Sequence, residues 1–263
     1  MNLDSRRVLV TGATGGLGHA IARALAARGA SLVLTGRRAD VLEPLAGEVG
    51  GRALAADLSD PAAIDALLAG AGEVDVLVAN AAVPASGSVL EYTPEQIDRA
   101  LTVNLRAPML LARELAPAMA ARGAGHLVFV SSLSGKAATP ASGIYSATKF
   151  GLRGFALGLR EDLHGTGVGV TTVFPGFIRG AGMFHESGTR LPRFAGTKTP
   201  EDVAAAVVRG VESGRAEIDV APLAIKAGAA LAGVLPGTVL AVQRRLGSAK
   251  VANELADAQR HLR

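Results

Sequence analysis

Eight residues near the start of the chain, Thr11-Gly12-Ala13-Thr14-Gly15-Gly16-Leu17-Gly18, hold four glycines between an apolar run and an alanine-rich stretch. Arg7 to Thr11 reads as a β-strand and Gly16 to Arg28 as a helix, so the glycines occupy a strand-to-helix turn. A backbone without Cβ atoms there turns sharply and can approach a pyrophosphate, whose charge the N-terminus of the helix favours. The feature therefore predicts a dinucleotide-binding βα unit, with Gly12, Thr14, Gly16, Leu17 and Gly18 at the phosphates.

The rest of the chain repeats the same alternation. Ser31–Thr35, Val74–Ala79, His126–Ser131 and Val168–Phe174 are short Val/Leu-rich runs without polar alternation, separated by helical stretches. Continuous apolar strands are buried on both faces, which predicts an α/β fold: a doubly wound, mostly parallel sheet flanked by helices. No linker or repeat divides the 263 residues, so residues 1–263 read as one Rossmann-like domain. From about 180 to 200 the periodicity fails, among Gly182, Gly188, Pro192, Gly196 and Pro200. Met183, Phe184, His185, Leu191 and Phe194 lie in the same stretch, which reads as a substrate lid.

Composition excludes several classes. There are no cysteines, so no disulfide framework, thiolate nucleophile or cysteine-ligated metal, and the five histidines show no ligand spacing. A net charge of +4 without a basic run, and with 3% aromatics, points away from nucleic acid and towards a small-molecule partner. The charged segment Met1 to Arg7 runs straight into the first strand and is no signal peptide, so a cytoplasmic location is expected.

The second strand ends Leu34-Thr35-Gly36-Arg37-Arg38. An NAD site usually places a carboxylate here, roughly 20 residues beyond the glycine turn, to hold the ribose 2′-hydroxyl. Two guanidinium groups stand there instead. Their planar forks match a 2′-phosphate, so NADP(H) is favoured over NAD(H), with Arg37 the nearer contact.

Tyr145 and Lys149 are four apart in a helical stretch that runs to about Leu163, and so share a face. A cation near 5 Å, in an effective dielectric of about 20, favours a phenolate by roughly 3 kcal/mol, about two pH units. On that basis Tyr145 is expected to titrate closer to neutrality and to exchange protons. Ser132, at the end of the strand upstream, could present its hydroxyl to a substrate oxygen. Alternation along the strand turns Ser131 the other way.

Taken together these residues resemble the short-chain dehydrogenase/reductase family over about residues 5–180. Thr11-Gly12-x-x-x-Gly16-x-Gly18 is similar to its cofactor turn, Asp57-Leu58 to its adenine contact, and Asn80-Ala81-Ala82 to the Asn-Ala-Gly ending its fourth strand. Asn104, Ser132, Tyr145 and Lys149 match its catalytic set, and Pro175-Gly176 the turn after its sixth strand, followed by Phe177-Ile178-Arg179. The resemblance implies that Ser132 and Tyr145 bind the reacting oxygen. It implies that Lys149 lowers the Tyr145 pKa and holds the nicotinamide ribose, and that Asn104 helps to hold a water. It also implies cofactor contacts from Pro175, Gly176 and Ile178, and a homodimer or homotetramer. Ala82 replaces a glycine, and Gly180 stands where the family often has a threonine that binds the carboxamide.

The expected activity is NADP(H)-dependent interconversion of a ketone or aldehyde with an alcohol on a hydrophobic substrate. Two alternatives stay open: a non-catalytic NADP-binding regulator, and an epimerase or dehydratase, whose Gly12-x-x-Gly15-x-x-Gly18 spacing this turn also satisfies. Beyond Thr199–Ser213 (a helix) and Glu217–Val220 (a last strand), residues 222–263 read as a helical extension. Ala227–Val242, sixteen residues without charge, predicts a helical pair over the substrate pocket or against another subunit, with peripheral membrane contact as the alternative.

Overall fold

The computed structural model describes residues 1–186, 196–245 and 248–260. Seven strands form: β1 Arg7–Thr11, β2 Ser31–Gly36, β3 Arg52–Ala55, β4 Val76–Ala79, β5 Gly125–Val130, β6 Val168–Pro175 and β7 Glu217–Val220. They pair in parallel in the order β3-β2-β1-β4-β5-β6-β7. The helices are α1 Gly16–Ala26, α2 Ala39–Glu48, α3 Pro61–Ala71, α4 Pro94–Leu101, α5 Ala107–Ala121, α6 Gly143–Asp162, α7 Met183–Glu186, α8 Pro200–Ser213, α9 Leu223–Val234, α10 Pro236–Arg245 and α11 Ser248–Gln259. This is the doubly wound sheet that the apolar runs predict.

Burial on both faces is visible residue by residue in β1. Val8 and Val10 enter one apolar layer with Ile21 and Leu25 of α1 and Val203 and Val207 of α8. Leu9, between them in sequence, enters the opposite layer with Leu111 of α5 and Leu152 of α6. All three are fully buried, and each side chain removed from water is worth about 1.5–3 kcal/mol.

The chain first winds from β1 outward to β2 and β3, then returns to pair β4 on the other side of β1. Connections leave β1 and β4 in opposite directions, which opens a crevice at their carboxyl ends, the usual ligand position in such sheets. The first helix stops at Ala26 rather than Arg28, because Gly29 takes φ +77 to turn the chain into β2. The uncharged C-terminal stretch is two helices, α9 and α10, separated at Leu235 because Pro236 cannot continue α9. Of the expected lid, residues 187–195, with Gly188, Leu191, Pro192 and Phe194, lie outside the described residues.

Candidate active site

Among the described residues, the α-helices α3, α4 and α8 close their N-termini with a side chain, Asp60, Thr93 and Thr199 respectively. The start of α1 has no such cap. Its N-cap is Gly15, and no acidic residue lies in the first turn. Its first N–H groups therefore remain available to an external anion, and α1 opens into the crevice between β1 and β4.

The turn is packed so tightly that only glycine fits it. Gly12 holds φ +64, and a Cβ there would lie 2.7 Å from the Cα of Ala81. A Cβ on Gly18 would lie 2.3 Å from the Gly12 carbonyl oxygen. Asn80 fixes the far wall: its Nδ2 donates to the carbonyls of Thr11 and Gly12, each at 3.1 Å. Thr11 Oγ1 in turn accepts from the N–H groups of Asn80 and Ala81. Asn80 and Ala81 thus shape the phosphate cradle by joining β1 to β4. A bound pyrophosphate fits this arrangement of free donors and bare backbone.

At the end of β2 Arg38 is held in place, its guanidinium donating to the Thr14 carbonyl at 2.7 Å. Arg37 makes no hydrogen bond or ion pair among the described residues and lines the cleft. Asp57 is the nearby carboxylate. It accepts from the Ser59 N–H and hydroxyl, which hold its pKa below the usual carboxylate value, helped by Arg37 and Arg99. Arg99, on α4, therefore adds a third guanidinium to this region. It carries no motif, and the fold alone brings it across. Thr35, whose hydroxyl is fully buried without a partner among the described residues, was likewise invisible as a site residue in the sequence.

The chemistry end is assembled by β5, the 3₁₀ turn Leu133–Gly135 and α6. A Cβ on Gly135 would lie 2.6 Å from the Lys149 carbonyl, so glycine lets this turn press against α6. That approach brings Ser132 beside Tyr145, where its hydroxyl favours the phenolate slightly. Ser132 Oγ already accepts from the Ser134 N–H at 3.1 Å, which leaves its own proton to be donated. Ser131 faces away, as alternation predicts, and donates to the Lys149 carbonyl at 3.1 Å.

Lys149 is buried, its Nζ donating to the Val130 carbonyl at 3.0 Å and lying 5.7 Å from the Tyr145 ring centre. The spacing is near the one expected, but the electrostatics run the other way. Burial pushes the Tyr145 phenol up to about 12, against a smaller opposing effect of the neighbouring Ser132 hydroxyl. Burial also brings the Lys149 ammonium down to about 8. Desolvation disfavours both charged forms more than the intervening distance lets them help each other. At neutral pH Tyr145 is therefore a neutral phenol, a proton donor rather than a ready base.

Asn104 lies in a π turn, Thr102–Arg106, that interrupts the run from α4 to α5. Its side-chain amide is engaged at both ends: Oδ1 accepts from the Val83 N–H at 2.7 Å and Nδ2 donates to the Val83 carbonyl at 3.0 Å. Its side chain thus anchors the loop after β4 beside the cleft.

Beyond β6, Pro175, Gly176 and Ile178 line the same cleft, and the segment is fixed by a parallel bridge from Ile178 to Lys198. Gly180 and Gly182 both sit at φ +84, a conformation a threonine would adopt only under strain. Ala181 folds back over Gly16, and Phe177 stacks edge-on to Phe184 at 5.1 Å. From α11 the Gln259 Nε2 donates to the Met183 carbonyl at 3.0 Å, and Arg260 pairs with Glu91 at 3.1 Å on the other rim. The cleft has a volume of about 1120 Å³. Leu58, Leu133, Met183, Ile225 and Leu255 give it an apolar lining away from the polar groups.

Against known proteins, the short chain dehydrogenase family model matches residues 6–191. The ketoacyl reductase HetN of Nostoc sp. is 37% identical over 225 residues, covering 82% of this chain and 78% of that one. Among solved structures, a short-chain dehydrogenase from Sphingobium yanoikuyae in complex with NADPH superposes with a TM-score of 0.77. It is 30% identical, over 89% of this chain and 94% of that one. A 3-ketoacyl-(acyl-carrier-protein) reductase from Brucella melitensis complexed with NADH gives a TM-score of 0.75 at 27% identity, over 83% and 97%.

Proposed function

Because the chain belongs to the short-chain dehydrogenase family, and is therefore an NAD(P)-dependent oxidoreductase acting at C=O or CH–OH groups, we propose that it reduces an apolar ketone or aldehyde with NADPH. The observation that carries this reading is the adjacent pair Ser132–Tyr145, with Lys149 buried behind it, opening on an apolar cleft beside the uncapped start of α1.

When bound, the reduced nicotinamide supplies the hydride to the carbonyl carbon. Ser132 donates its free proton to the carbonyl oxygen and so polarises it and fixes its position. Tyr145, a neutral phenol held by burial, gives its proton to the oxygen as negative charge develops there. Lys149 still carries its ammonium below about pH 8, and that charge stabilises the phenolate left on Tyr145. One of its donors is fixed on Val130, and the other two are free for the nicotinamide ribose. Asn104 keeps the Val83 loop in place beneath the substrate.

The preference for NADP(H) rests on Arg37, with Arg38 and Arg99 beside it. The one nearby carboxylate, Asp57, is turned onto Ser59. The solved neighbours hold NADPH in one case and NADH in the other, so the argument stands on these side chains.

The test is NADPH consumption with a panel of apolar ketones, comparing wild type with Tyr145→Phe. The variant is expected to bind NADPH normally and to lose turnover by about 10²–10⁴-fold, the usual contribution of a positioned proton donor. Unchanged turnover would remove Tyr145 from the mechanism. Absence of net NADPH consumption with every ketone would favour an epimerase or dehydratase that recycles its nicotinamide.

A further inference from the structure

Between Asp219 and Glu254 the chain contains no acidic residue, yet it carries Lys226, Arg244, Arg245 and Lys250. Within that stretch α9 and α10 pack against each other and present an unusual surface. Ile225 and Ala229 turn inward, towards Phe174 and the cleft, and Ala232 is also buried. On the outside, residues 233–238, the turn between the helices, are all exposed. Leu223 is 82% exposed, Val234 76%, and Leu231 and Leu235 about half. Elsewhere among the described residues the exposed large apolar side chains are the adjacent pair Val89 and Leu90 and, less exposed, Leu101, Phe150 and Leu157. An apolar protrusion of this kind signals something that covers it.

We propose that the α9–α10 turn inserts into the surface of an anionic lipid bilayer, with the flanking cations on the headgroups. Charge decides between the candidate occupants. A second copy docked through the same patch would bring Lys226, Arg244 and Arg245 of each chain together with no carboxylate from this stretch to meet them. An anionic bilayer supplies that missing charge. Lys226 and the Arg244-Arg245 pair lie at the ends of the two helices remote from the turn, and none of them forms an ion pair among the described residues. From Val234 and Leu235 at the tip to Lys226 and the arginine pair the order is therefore apolar, then cationic, the order of acyl chains and headgroups, with Leu223 and Val242 as further exposed apolar residues at the base. No described helix is long and apolar enough to cross a membrane. Twelve residues of α9 span about 18 Å, which suits shallow insertion rather than crossing.

The chain contains no tryptophan, so one placed at the tip reports its own surroundings. Full-length Val234→Trp protein is mixed with vesicles of phosphatidylcholine, or of phosphatidylcholine with 30% phosphatidylglycerol as the anionic lipid. Mixed vesicles are expected to shift its emission to the blue and to carry it upward in flotation, with far less of either on phosphatidylcholine alone or in high salt. Arg244→Gln/Arg245→Gln is expected to weaken flotation roughly tenfold or more, from about fivefold per cation. Val234→Glu/Leu235→Glu should abolish it, while both variants keep the melting temperature and the NADPH-dependent turnover of a water-soluble ketone. The proposal is overturned if the tip tryptophan stays in water with anionic vesicles. It is equally overturned if Val234→Glu/Leu235→Glu converts a dimer into a monomer while wild type ignores vesicles, which would make the patch a contact between copies.

Discussion

Arg37 and Arg38 are neighbours in sequence and have opposite roles in the structure. Arg38 is bonded to the Thr14 carbonyl and so braces the glycine turn, whereas Arg37 keeps its guanidinium free at the cleft. A bidentate bond from a charged donor to a phosphate is worth about 1.5–3 kcal/mol. Arg37→Ala is therefore expected to raise KM for NADPH about thirtyfold and to leave KM for NADH nearly unchanged, measured in parallel on one ketone. Equal losses with the two cofactors would make Arg37 a structural residue. The sequence separates these roles only by distance from the strand end, and that reasoning pointed to Arg37. Arg99 was not legible, because its approach to Asp57, 42 positions earlier in the chain, depends on how α4 crosses the cleft. Nor was the ionisation of Tyr145. Helical spacing gives the distance to Lys149 but not the burial of both, and burial dominates.

Elements read well where a regular period met a stop signal, and poorly where geometry departs from the standard period. Thr199-Pro200-Glu201-Asp202 announces α8, and the structure has the reciprocal capping pair Thr199–Asp202. The π turn at Asn104 leaves no such mark, since it adds one residue to a helical turn without changing the apolar pattern. Strand β5 holds a further consequence of burial. His126 lies beneath the sheet with Nε2 2.9 Å from Thr171 Oγ1, and desolvation brings its pKa from 6.5 down to about 4, with smaller help from the N-terminal ammonium and Arg160. Below pH 6.5 the unfolded chain takes up a proton that the folded chain refuses until about pH 4. Stability present above pH 6.5 is thus lost as pH falls through that window, by on the order of 3 kcal/mol in total. Urea unfolding at pH 7, 5.5 and 4 is expected to show this loss, and His126→Gln should flatten it. A His126→Gln protein with the same acid loss would place its origin elsewhere.

At the scale of the molecule, both rims of the cleft are tied to the last described helix. Gln259 holds Met183 on one rim, and Arg260 reaches Glu91 on the other. Gln259→Ala is expected to raise KM for the ketone threefold to tenfold while the Kd for NADPH stays the same, because α11 closes the substrate half alone. A change confined to NADPH binding would disprove that division. This clasp had no signature in the sequence, which shows only a polar helix there. The layer beneath the sheet carries a different consequence. Ile21 and Leu25 of α1 are covered by Val203 and Val207 of α8, about 180 residues later. At a synthesis rate of about 5–20 residues per second, the apolar face of α1 waits roughly ten to forty seconds on the ribosome for its cover. A nascent chain stalled before residue 200 should therefore be bound by chaperones that a chain carrying α8 no longer engages.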